Sequence, residues 1–169
     1  MALLETVSHC EFLRAMPKAL VARLDSLAKT RSYSAGTTLF AEGDAHPDFH
    51  IVAKGHVRLD MLVPQRGRIP ILTAGTGDIL AWSALIGNAV MTSTAVALEP
   101  VETLAFPGNQ LRQLSETEHE VGFYVMRQLA SAMSRRLLAT RLQLLDLFAD
   151  HVSALDLTPA LGRPGDPEC

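Results

Sequence analysis

Cysteine is scarce in this chain of 169 residues, where it occurs only as Cys10 and Cys169. Two cysteines so far apart in the sequence offer neither a disulfide framework nor the CxxC pattern of a metal site. An iron–sulfur cluster is usually held by four protein thiolates, so this class of sensor is disfavoured as well. The sequence therefore favours a reducing, cytoplasmic compartment.

The chain also lacks a basic excess and long apolar runs. The formal net charge is -3, so the composition gives no support for a nucleic-acid-binding face, and we expect no direct DNA binding. No apolar run reaches the roughly 18 residues that a membrane-spanning helix needs. The first residues carry neither the basic region nor the apolar core of a signal peptide. We therefore expect no association with a membrane.

Motifs of covalent catalysis are missing too. The sequence contains no GxSxG element, no SxxK element at a position suited to catalysis and no Cys–His pair at a suggestive spacing. Asp78, which follows Gly77, is typical of a turn residue rather than of a general base. We therefore expect that the protein is not an enzyme.

The spacing of hydrophobic residues changes twice along the chain. Residues 8–30 carry apolar positions at helical spacing. Residues 31–108 break into six to eight short runs separated by glycines, a pattern typical of a small antiparallel barrel or jelly roll. Residues 109–150 return to helical spacing, whereas residues 151–169 are rich in Pro and Gly and predict a disordered tail. The sequence thus predicts one mainly β domain with flanking helices over residues 1–150.

The last helical segment carries a heptad-like seam. Its apolar and small residues alternate steps of three and four over about 24 residues, or about 36 Å of helix. Such a helix is longer than a small barrel can cover, so we expect it to form a homodimer. The alternative is a helix that packs entirely on its own barrel. The seam consists of Phe123, Met126, Ala130, Met133, Leu137, Thr140, Leu144 and Leu147.

Several short motifs follow one another in a specific order. They are AGTTLFAEGD at 35–44, IVAKGHVRL at 51–59, GD at 77–78, TAVALEPV at 94–101 and RRLLATR at 135–141. Each motif alone is weak, but their order and spacing together are specific. On these motifs the chain resembles the catabolite-activator/Fnr (Crp/Fnr) superfamily of cyclic-nucleotide-binding domains. The resemblance implies an eight-stranded jelly roll and a long C-terminal helix that closes the ligand pocket and forms a homodimer.

The stretch from Gly77 to Glu99 resembles the phosphate-binding cassette of that family. In the family, the Glu of a Gly-Glu pair holds the ribose hydroxyl, and a later Arg pairs with the cyclic phosphate. Here Trp82 stands at the Glu position and Met91 at the Arg position. Met91 cannot pair with a phosphate, and the indole of Trp82 has only a donor.

The resemblance also assigns the residues of the pocket. The segment from Ile79 to Ala84 is expected to form a short helical turn that offers backbone N–H groups to an anion. The candidate pocket residues are Ile79, Leu80, Ala81, Trp82, Ser83, Ala84, Met91, Thr92 and Ser93.

Two residues of the long helix are candidates for closing the pocket. Thr140 falls where the family's adenine-contacting Thr lies in an RRL-x-x-T pattern, and Arg136 falls near the position that faces the cassette Glu. With that Glu replaced, a cation–π pair between Arg136 and Trp82 is a reasonable expectation. The alternatives are that Arg136 is solvated and that Thr140 packs in the seam.

The segment DAHPDFH, residues 44–50, holds two His and two Asp. A metal site requires ligands that converge at fixed distances, whereas Pro47 forces a turn here. We therefore interpret the segment as a solvated turn between two strands and predict no metal site. Haem is a further alternative, because some superfamily members carry it, but no spacing selects among the candidate ligands. Those candidates are His9, Cys10, His46, His50 and His56.

The most economical function is a regulatory sensor with a diverged cassette that signals through its dimer helix to an unidentified protein partner. Only about twenty residues follow Asp150, too few for a helix-turn-helix domain, so we expect a stand-alone form. Possible ligands are a cyclic nucleotide such as cyclic AMP (cAMP) or another small molecule. One alternative is a genuine cAMP-binding protein that uses the cassette amides with Ser83, Thr92, Ser93 and Arg136. Another is a ligand-free dimerisation module in which Trp82 and Met91 plug the pocket.

Overall fold

A computed structural model describes residues 10–156, with side chains described for residues 10 and 12–146. The chain divides into two compact units, Met1–Ala132 and Met133–Cys169. Within the described residues the helices are α1 (Glu11–Arg14), α2 (Lys18–Asp25), α3 (Ser83–Ile86), α4 (Gly108–Thr117) and α5 (His119–Asp156). The strands are β1 (Lys29–Tyr33), β2 (Thr38–Phe40), β3 (Asp48–Lys54), β4 (Val57–Val63), β5 (Gly67–Ala74), β6 (Ile79–Leu80), β7 (Thr94–Ala97) and β8 (Val101–Pro107).

The strands form two four-stranded antiparallel sheets. One sheet has the order β1-β8-β3-β6 and the other β2-β7-β4-β5, so neighbours in each sheet are mostly distant in sequence. Short strands, glycine-rich turns and this crossover order make a jelly roll rather than a chain of hairpins. The predicted fold class, an antiparallel β jelly roll with an N-terminal helix and a long C-terminal helix, is confirmed.

The first strand differs from the sequence-based expectation. The predicted helical segment 8–30 ends as helix at Asp25, and Lys29–Tyr33 instead pairs with β8 along its whole length. This strand lies at the edge of its sheet, and its side chains are largely exposed. The alternation of apolar and polar residues that identifies a half-buried strand is therefore absent from its sequence.

Strand β3 shows how the core is layered. Alternate side chains of a strand point to opposite faces of the sheet. Phe49 points to the face covered by the N-terminal helices, where its ring centroid lies 5.6 Å from that of Phe12 and 6.2 Å from that of Phe106. Val52 points to the opposite face and joins the apolar cluster between the sheets, as the alternation requires. His50 shares that inner face.

An apolar cluster between the two sheets forms one part of the core. Strands β2 to β8 each contribute at least one residue to this cluster, and the segment around α3 contributes two more. Tyr33 and Leu72 pack against it. Its buried members are Leu39, Phe40, Val52, Val57, Leu59, Ala74, Leu80, Ala81, Met91, Ala95, Ala97 and Val101.

Helix α3 packs closely against the start of α4. The amide of Gly108 donates to the carbonyl of Pro47 at 2.9 Å, which fixes the start of α4 on the loop before β3. A Cβ added to Gly108 would collide with the carbonyl oxygen of Ala84 and would lie 3.0 Å from the carbonyl oxygen of Pro47. Because both obstacles are backbone atoms, only glycine fits without movement of α3 or α4.

Helix α5 begins with a second close contact and continues past the expected end of the domain. A Cβ added to Gly122 would collide with the carbonyl oxygen of Ser115, so the first turn of α5 lies tightly against α4. The helix then runs through Asp156, beyond the boundary expected at residue 150. The remainder of the expected tail, residues 157–169 including Cys169, lies outside the described residues. Among the helices described, none is long and apolar enough to cross a membrane.

The α3–α4 contact makes a prediction about stability. We expect Gly108→Ala to lower the free energy of unfolding by about 1–3 kcal/mol, because the new methyl group forces backbone apart in a packed region. Urea unfolding followed by circular dichroism would measure it. Gly75→Ala is the matched control, because its Cβ meets only the His56 ring, at 3.4 Å. Equal stability of the two variants would contradict the tight contact.

Candidate functional site

A tight turn leads into the candidate cassette. The carboxylate of Asp78 accepts a hydrogen bond from the amide of Gly75 at 2.8 Å, as expected of a turn residue. Gly77 has a φ of 91°, in the left-handed region that favours glycine, and its amide donates to the carbonyl of Val52 at 2.8 Å. These bonds hold β6 against β3, with His50 opposite Leu80 in the register.

The helix of the cassette begins at Ser83, four residues later than predicted. Ile79 and Leu80, expected in the helical turn, lie in strand β6 and are buried. They pair with β3, because two apolar residues beside a sheet edge gain more from the ladder than from a short helix. Ala81 follows with a φ of 54°, and the helix itself spans only Ser83–Ile86. Because the resemblance places Trp82 at the Glu of a Gly-Glu pair, Ala81 falls at the position of the Gly. Glycine adopts this left-handed backbone conformation with the least strain.

The short helix uses several of its own amides. The N–H of Ala84 donates to the carbonyl of Ala81 at 3.0 Å, and the N–H of Leu85 donates to the carbonyl of Trp82 at 2.9 Å. Those two donors are therefore not available to an anion. Trp82 is half-buried, whereas Ser83 and Ala84 are buried. A single turn of helix offers too little aligned dipole to hold a phosphate by itself.

Met91 lies inside the barrel core. Its side chain is 3% exposed and belongs to the same apolar cluster as Leu80 and Ala81. Its backbone is held by the preceding loop, since its amide donates to the carbonyl of Asp44 at 2.9 Å and its carbonyl accepts from the amide of Gly43 at 2.8 Å. The structure thus brings Met91 together with Leu80 and Ala81.

The polar residues after Met91 have different surroundings. Thr92 is exposed and Ser93 is half-buried. The next residue, Thr94, is buried, and its hydroxyl oxygen accepts from the amide of Glu42 at 3.0 Å and from the guanidinium of Arg68. Sequence reasoning did not single out this Thr94 contact, because both partners are distant in sequence.

A pair of histidines, of which His50 is buried and His46 is half-buried, lies beside the cassette. The Nε2 atoms of His46 and His50 are 2.8 Å apart, and Nδ1 of His50 lies 3.0 Å from the hydroxyl oxygen of Thr103. Tyr33 bonds to the same Thr103, and the ring of His46 packs 5.2 Å from that of Phe40. The interpretation of segment 44–50 as a solvated turn is wrong for His50, which lies in β3 and is 1% exposed.

Burial disfavours the charged form of both histidines. Removal from water lowers the pKa of His50 to about 3, with smaller effects in the same direction from His46 and Arg31. Burial also lowers the pKa of His46, while the nearby carboxylate of Asp48 opposes that shift. The sequence signal that was available is the alternation of β3, which places His50 on the same face as Val52.

Metal binding has little support in the part of the chain that the structure describes. No three His, Cys, Asp or Glu side chains there gather in an arrangement that could hold an ion. Cys10, one of the haem candidates, is buried, and its thiol lies 3.6 Å from the carbonyl oxygen of Gly77, to which it donates. His56 lies at the surface and pairs with Glu99 at 2.6 Å. His9 lies outside the described residues.

An open groove of about 490 Å³ adjoins the cassette helix in the first unit. Leu85 of α3 forms one wall, α4 a second and the first turns of α5 a third. Phe123 and Met126, two residues of the predicted seam, line it and are exposed. The other lining residues are Arg112, Ser115, Glu116, His119 and Gly122.

The remaining candidates lie along α5. Ala130 is exposed in the first unit, and Met133, Leu137, Thr140 and Leu144 follow in the second, where Met133 is half-buried and the other three are exposed. The hydroxyl of Thr140 donates to the carbonyl of Arg136 at 2.9 Å, and Arg136 is half-buried. The side chain of Leu147 lies outside the described set. The expected pairing of Arg136 with Trp82 stays a prediction, because these residues belong to different units.

A family model described as the cyclic nucleotide-binding domain matches residues 30–118, just over half of the chain. The chain belongs to this family. The resemblance inferred from the order of the motifs is thereby confirmed, and the matched residues contain the two sheets almost entirely, the cassette and helix α4.

Individual relatives agree with the assignment to the cyclic nucleotide-binding domain family. A CRP-like cAMP-activated global transcriptional regulator of Mycobacterium tuberculosis is 25% identical over 149 residues, covering 88% of this chain and 64% of the regulator. The cGMP-dependent protein kinase isozyme 1 of Drosophila melanogaster is 29% identical over 112 residues, covering 61% of this chain and 15% of the kinase. The chain thus spans less than two thirds of the length of these relatives.

A solved structure confirms the fold independently. The cyclic nucleotide-binding domain of Methylobacillus flagellatus superposes with a TM-score of 0.76 over 86% of this chain and 82% of that one, at 21% identity. At this level of identity the likeness concerns the fold alone. The two sheets, the flanking helices and the long helix are therefore those of a cyclic nucleotide-binding domain.

The burial of His50 predicts how the stability of the protein depends on pH. The pKa of His50 is about 3 in the folded protein and 6.5 when unshifted, so between these values the unfolded chain binds a proton that the folded chain does not. The stability that depends on a neutral His50 is therefore fully present above pH 6.5 and is lost progressively as the pH falls towards 3. For this group alone we expect a loss of about 2 kcal/mol between pH 8 and pH 5.

Urea unfolding at pH 8 and pH 5 would measure this loss. His50→Gln removes the titrating group, so its stability should change less than that of the wild type between the two pH values. Stability that is constant or that increases on acidification would contradict the expected burial of a neutral His50.

Proposed function

We propose that this domain is a non-catalytic regulatory module that binds a ligand less anionic than a cyclic nucleotide, or binds a cyclic nucleotide only weakly, and that signals through a homodimer. The burial of Met91 in the apolar cluster supports this most directly. The regulatory role is supported by the names of the relatives, since the Mycobacterium tuberculosis protein is a cAMP-activated regulator.

The chemistry at the Arg position is decisive for a phosphate ligand. In the family a guanidinium pairs with the cyclic phosphate, whereas here a thioether lies among Leu80 and Ala81. Loss of a charge-assisted hydrogen bond to a buried anion costs on the order of 2–5 kcal/mol. Because each 1.4 kcal/mol is about tenfold in affinity, a cyclic nucleotide would bind at least about thirtyfold more weakly.

Trp82 argues for a different ligand rather than for the same ligand bound loosely. The indole replaces a carboxylate acceptor and presents an aromatic face and one N–H donor. It immediately precedes α3 and is half-buried, so part of its surface remains open. A planar, weakly charged molecule would suit such a surface better than a ribose hydroxyl would.

Close backbone packing provides a route for the signal within the first unit. Helix α3 lies against Gly108 at the start of α4, and Ser115 near the end of α4 lies against Gly122 at the start of α5. Neither contact has room for a side chain, so a shift of α3 would be passed to α5 as a rigid-body movement. Coupling further requires that the ligand prefer one helix arrangement over the other.

The seam on α5 supports a homodimer. Phe123 and Met126 are exposed in the first unit, and Leu137 and Leu144 are exposed in the second. Exposed apolar residues at heptad spacing are typical of a helix that pairs with a second copy. A partner protein would then read the arrangement of the two helices.

Restoring the family's residues should restore cyclic-nucleotide binding. We expect the double variant Trp82→Glu, Met91→Arg to bind cAMP at least about thirtyfold more tightly than the wild type, because it regains the phosphate pair and the ribose acceptor. Thermal-shift titrations with cAMP and cyclic GMP up to millimolar concentration would compare the proteins, since a ligand that binds only the folded state stabilises it.

The double variant Trp82→Glu, Ile86→Arg provides a charge-matched control. Ile86 is exposed on the same short helix, so its Arg adds charge without reaching the cluster around Met91. No gain in the first variant, provided that it folds, would show that the assignment of the cassette is wrong or that the pocket is plugged. Tight binding of cAMP by the wild type would instead favour the alternative of a true cAMP-binding protein with non-standard contacts.

The dimer can be tested by a pair of adjacent leucines. Leu137 lies in the seam and is 53% exposed, and Leu138 is 58% exposed but outside the seam. We expect Leu137→Glu to raise the dimer dissociation constant by tenfold or more, because two buried carboxylates would face each other, whereas Leu138→Glu should change it little. Analytical ultracentrifugation would measure both constants. Equal effects would refute the proposed seam.

A further inference from the structure

The paired histidines, His46 and His50, connect the chain segments on either side of the cassette. His46 ends a loop, residues 43–46, whose backbone is bonded to residues 89–91. The amide of His46 donates to the carbonyl of Ala89 at 2.8 Å, and Met91 exchanges two hydrogen bonds with Gly43 and Asp44. His50 lies on β3, where it is paired with Leu80, the residue that leads into the cassette turn. The contact between the two histidines therefore links the exit of the cassette to its entry.

The pair has specific surroundings, with His50 buried and His46 half-buried. His50 is held on its other side by Thr103 of β8, which also bonds Tyr33 of β1. The charged side chains that act electrostatically on the pair are Arg31 of β1, which lowers the pKa of His50, and Asp48 of β3, which raises that of His46. The two imidazole rings lie nearly parallel, with centroids 5.0 Å apart.

Counting protons shows which states of the pair are allowed. A hydrogen bond between two Nε2 atoms requires one N–H donor and one lone pair, so at least one ring must be neutral there. A single added proton can occupy Nδ1 of His46 and leave this bond intact. A second proton makes both Nε2 atoms donors, which abolishes the bond and places two like charges side by side in a partly buried site.

We propose that the His46–His50 pair is a proton-controlled latch, which on double protonation opens and releases loop 43–46 together with residues 89–91 of the cassette. The latch belongs to the barrel itself and works without a ligand. Its consequence for ligand binding, namely that acidification loosens the wall carrying Met91, rests on the proposed function.

The size of the effect follows from His50. This residue has a pKa of about 3 in the closed pair, against 6.5 for an unshifted histidine, which is the value expected once the pair opens to water. Proton linkage then increases the ratio of open to closed protein about thirtyfold between pH 8 and pH 5. Any further proton uptake by His46 on opening adds to this ratio in the same direction.

Hydrogen exchange on the ligand-free wild-type protein tests the latch, with EDTA present to remove stray metal ions. The amides of Gly43, His46 and Met91 report opening, and we call them the cassette amides because each is hydrogen-bonded between residues 43–46 and residues 89–91. The amides of Gly36 and Ala97 are references, because they are hydrogen-bonded at another turn of the barrel. After correction for the intrinsic rates, we expect the protection of the three cassette amides to fall about thirtyfold between pH 8 and pH 5. At pH 5 they should exchange faster than the references, and low urea should barely change their rates, because local opening exposes little surface.

Two outcomes in the wild-type protein would overturn the latch. One is protection of the cassette amides that does not change with pH. The other is protection equal to that of the references with the same dependence on urea, because the histidines would then affect only global unfolding. His50→Gln should abolish the pH dependence of the cassette amides, whereas His56→Gln, which removes an exposed histidine elsewhere, should retain it. A dependence that survives in His50→Gln would likewise refute the proposal.

The experiment separates the latch from the proposed function. Exchange is measured without ligand, so a latch that opens as expected stands even if no small molecule is found to bind the cassette. Conversely, a ligand that stabilises the protein equally at pH 8 and pH 5, with no local opening, would support the proposed function and refute the latch. Should His50→Gln fail to fold, the wild-type comparison of cassette and reference amides still decides.

Discussion

The burial of the cassette in the apolar cluster between the two sheets is the constraint on which the candidate site depends. Leu80, Ala81 and Met91 all belong to that cluster, so both ends of the cassette are anchored in the barrel core. Such anchoring stabilises the barrel through the area that it removes from water. It also sets the chemistry of the site, because a side chain at position 91 must be apolar unless a ligand brings an opposite charge.

Unlike the apolar cluster, the polar contacts around it stabilise the cassette in a way that depends on pH. A hydrogen-bonded chain of Tyr33, Thr103, His50 and His46 lies along the inner face of the barrel, and such polar groups stabilise the fold only while every partner is in the right protonation state. The cassette therefore has one anchor that is indifferent to pH and one that is not. Close packing of backbone at Gly108 and Gly122 joins the same cassette to the long helix, so both anchors bear on α5.

The fold was largely predictable because most strands carry their signal locally. Runs such as β3 and β4 combine β-branched residues with glycines at the turns, and their order matches a family of known fold. Strand β1 carried no such signal, since its side chains are exposed at a sheet edge. The start of the cassette helix was misplaced by the pairing of Ile79 with β3, and the burial of His50 was missed because its partners, His46 apart, lie far away in sequence.

The amino-acid sequence by itself determined the order of elements, the absence of a carboxylate at position 82 and of a guanidinium at position 91, and the heptad seam of α5. These are properties of residue type and spacing, which the sequence states directly. Only the tertiary structure decided that Met91 lies in the core, that His46 and His50 meet, and that two glycines allow α3, α4 and α5 to touch. These three features depend on contacts between segments that are separated in sequence or on the geometry of the backbone. A local pattern of residues encodes neither kind of information.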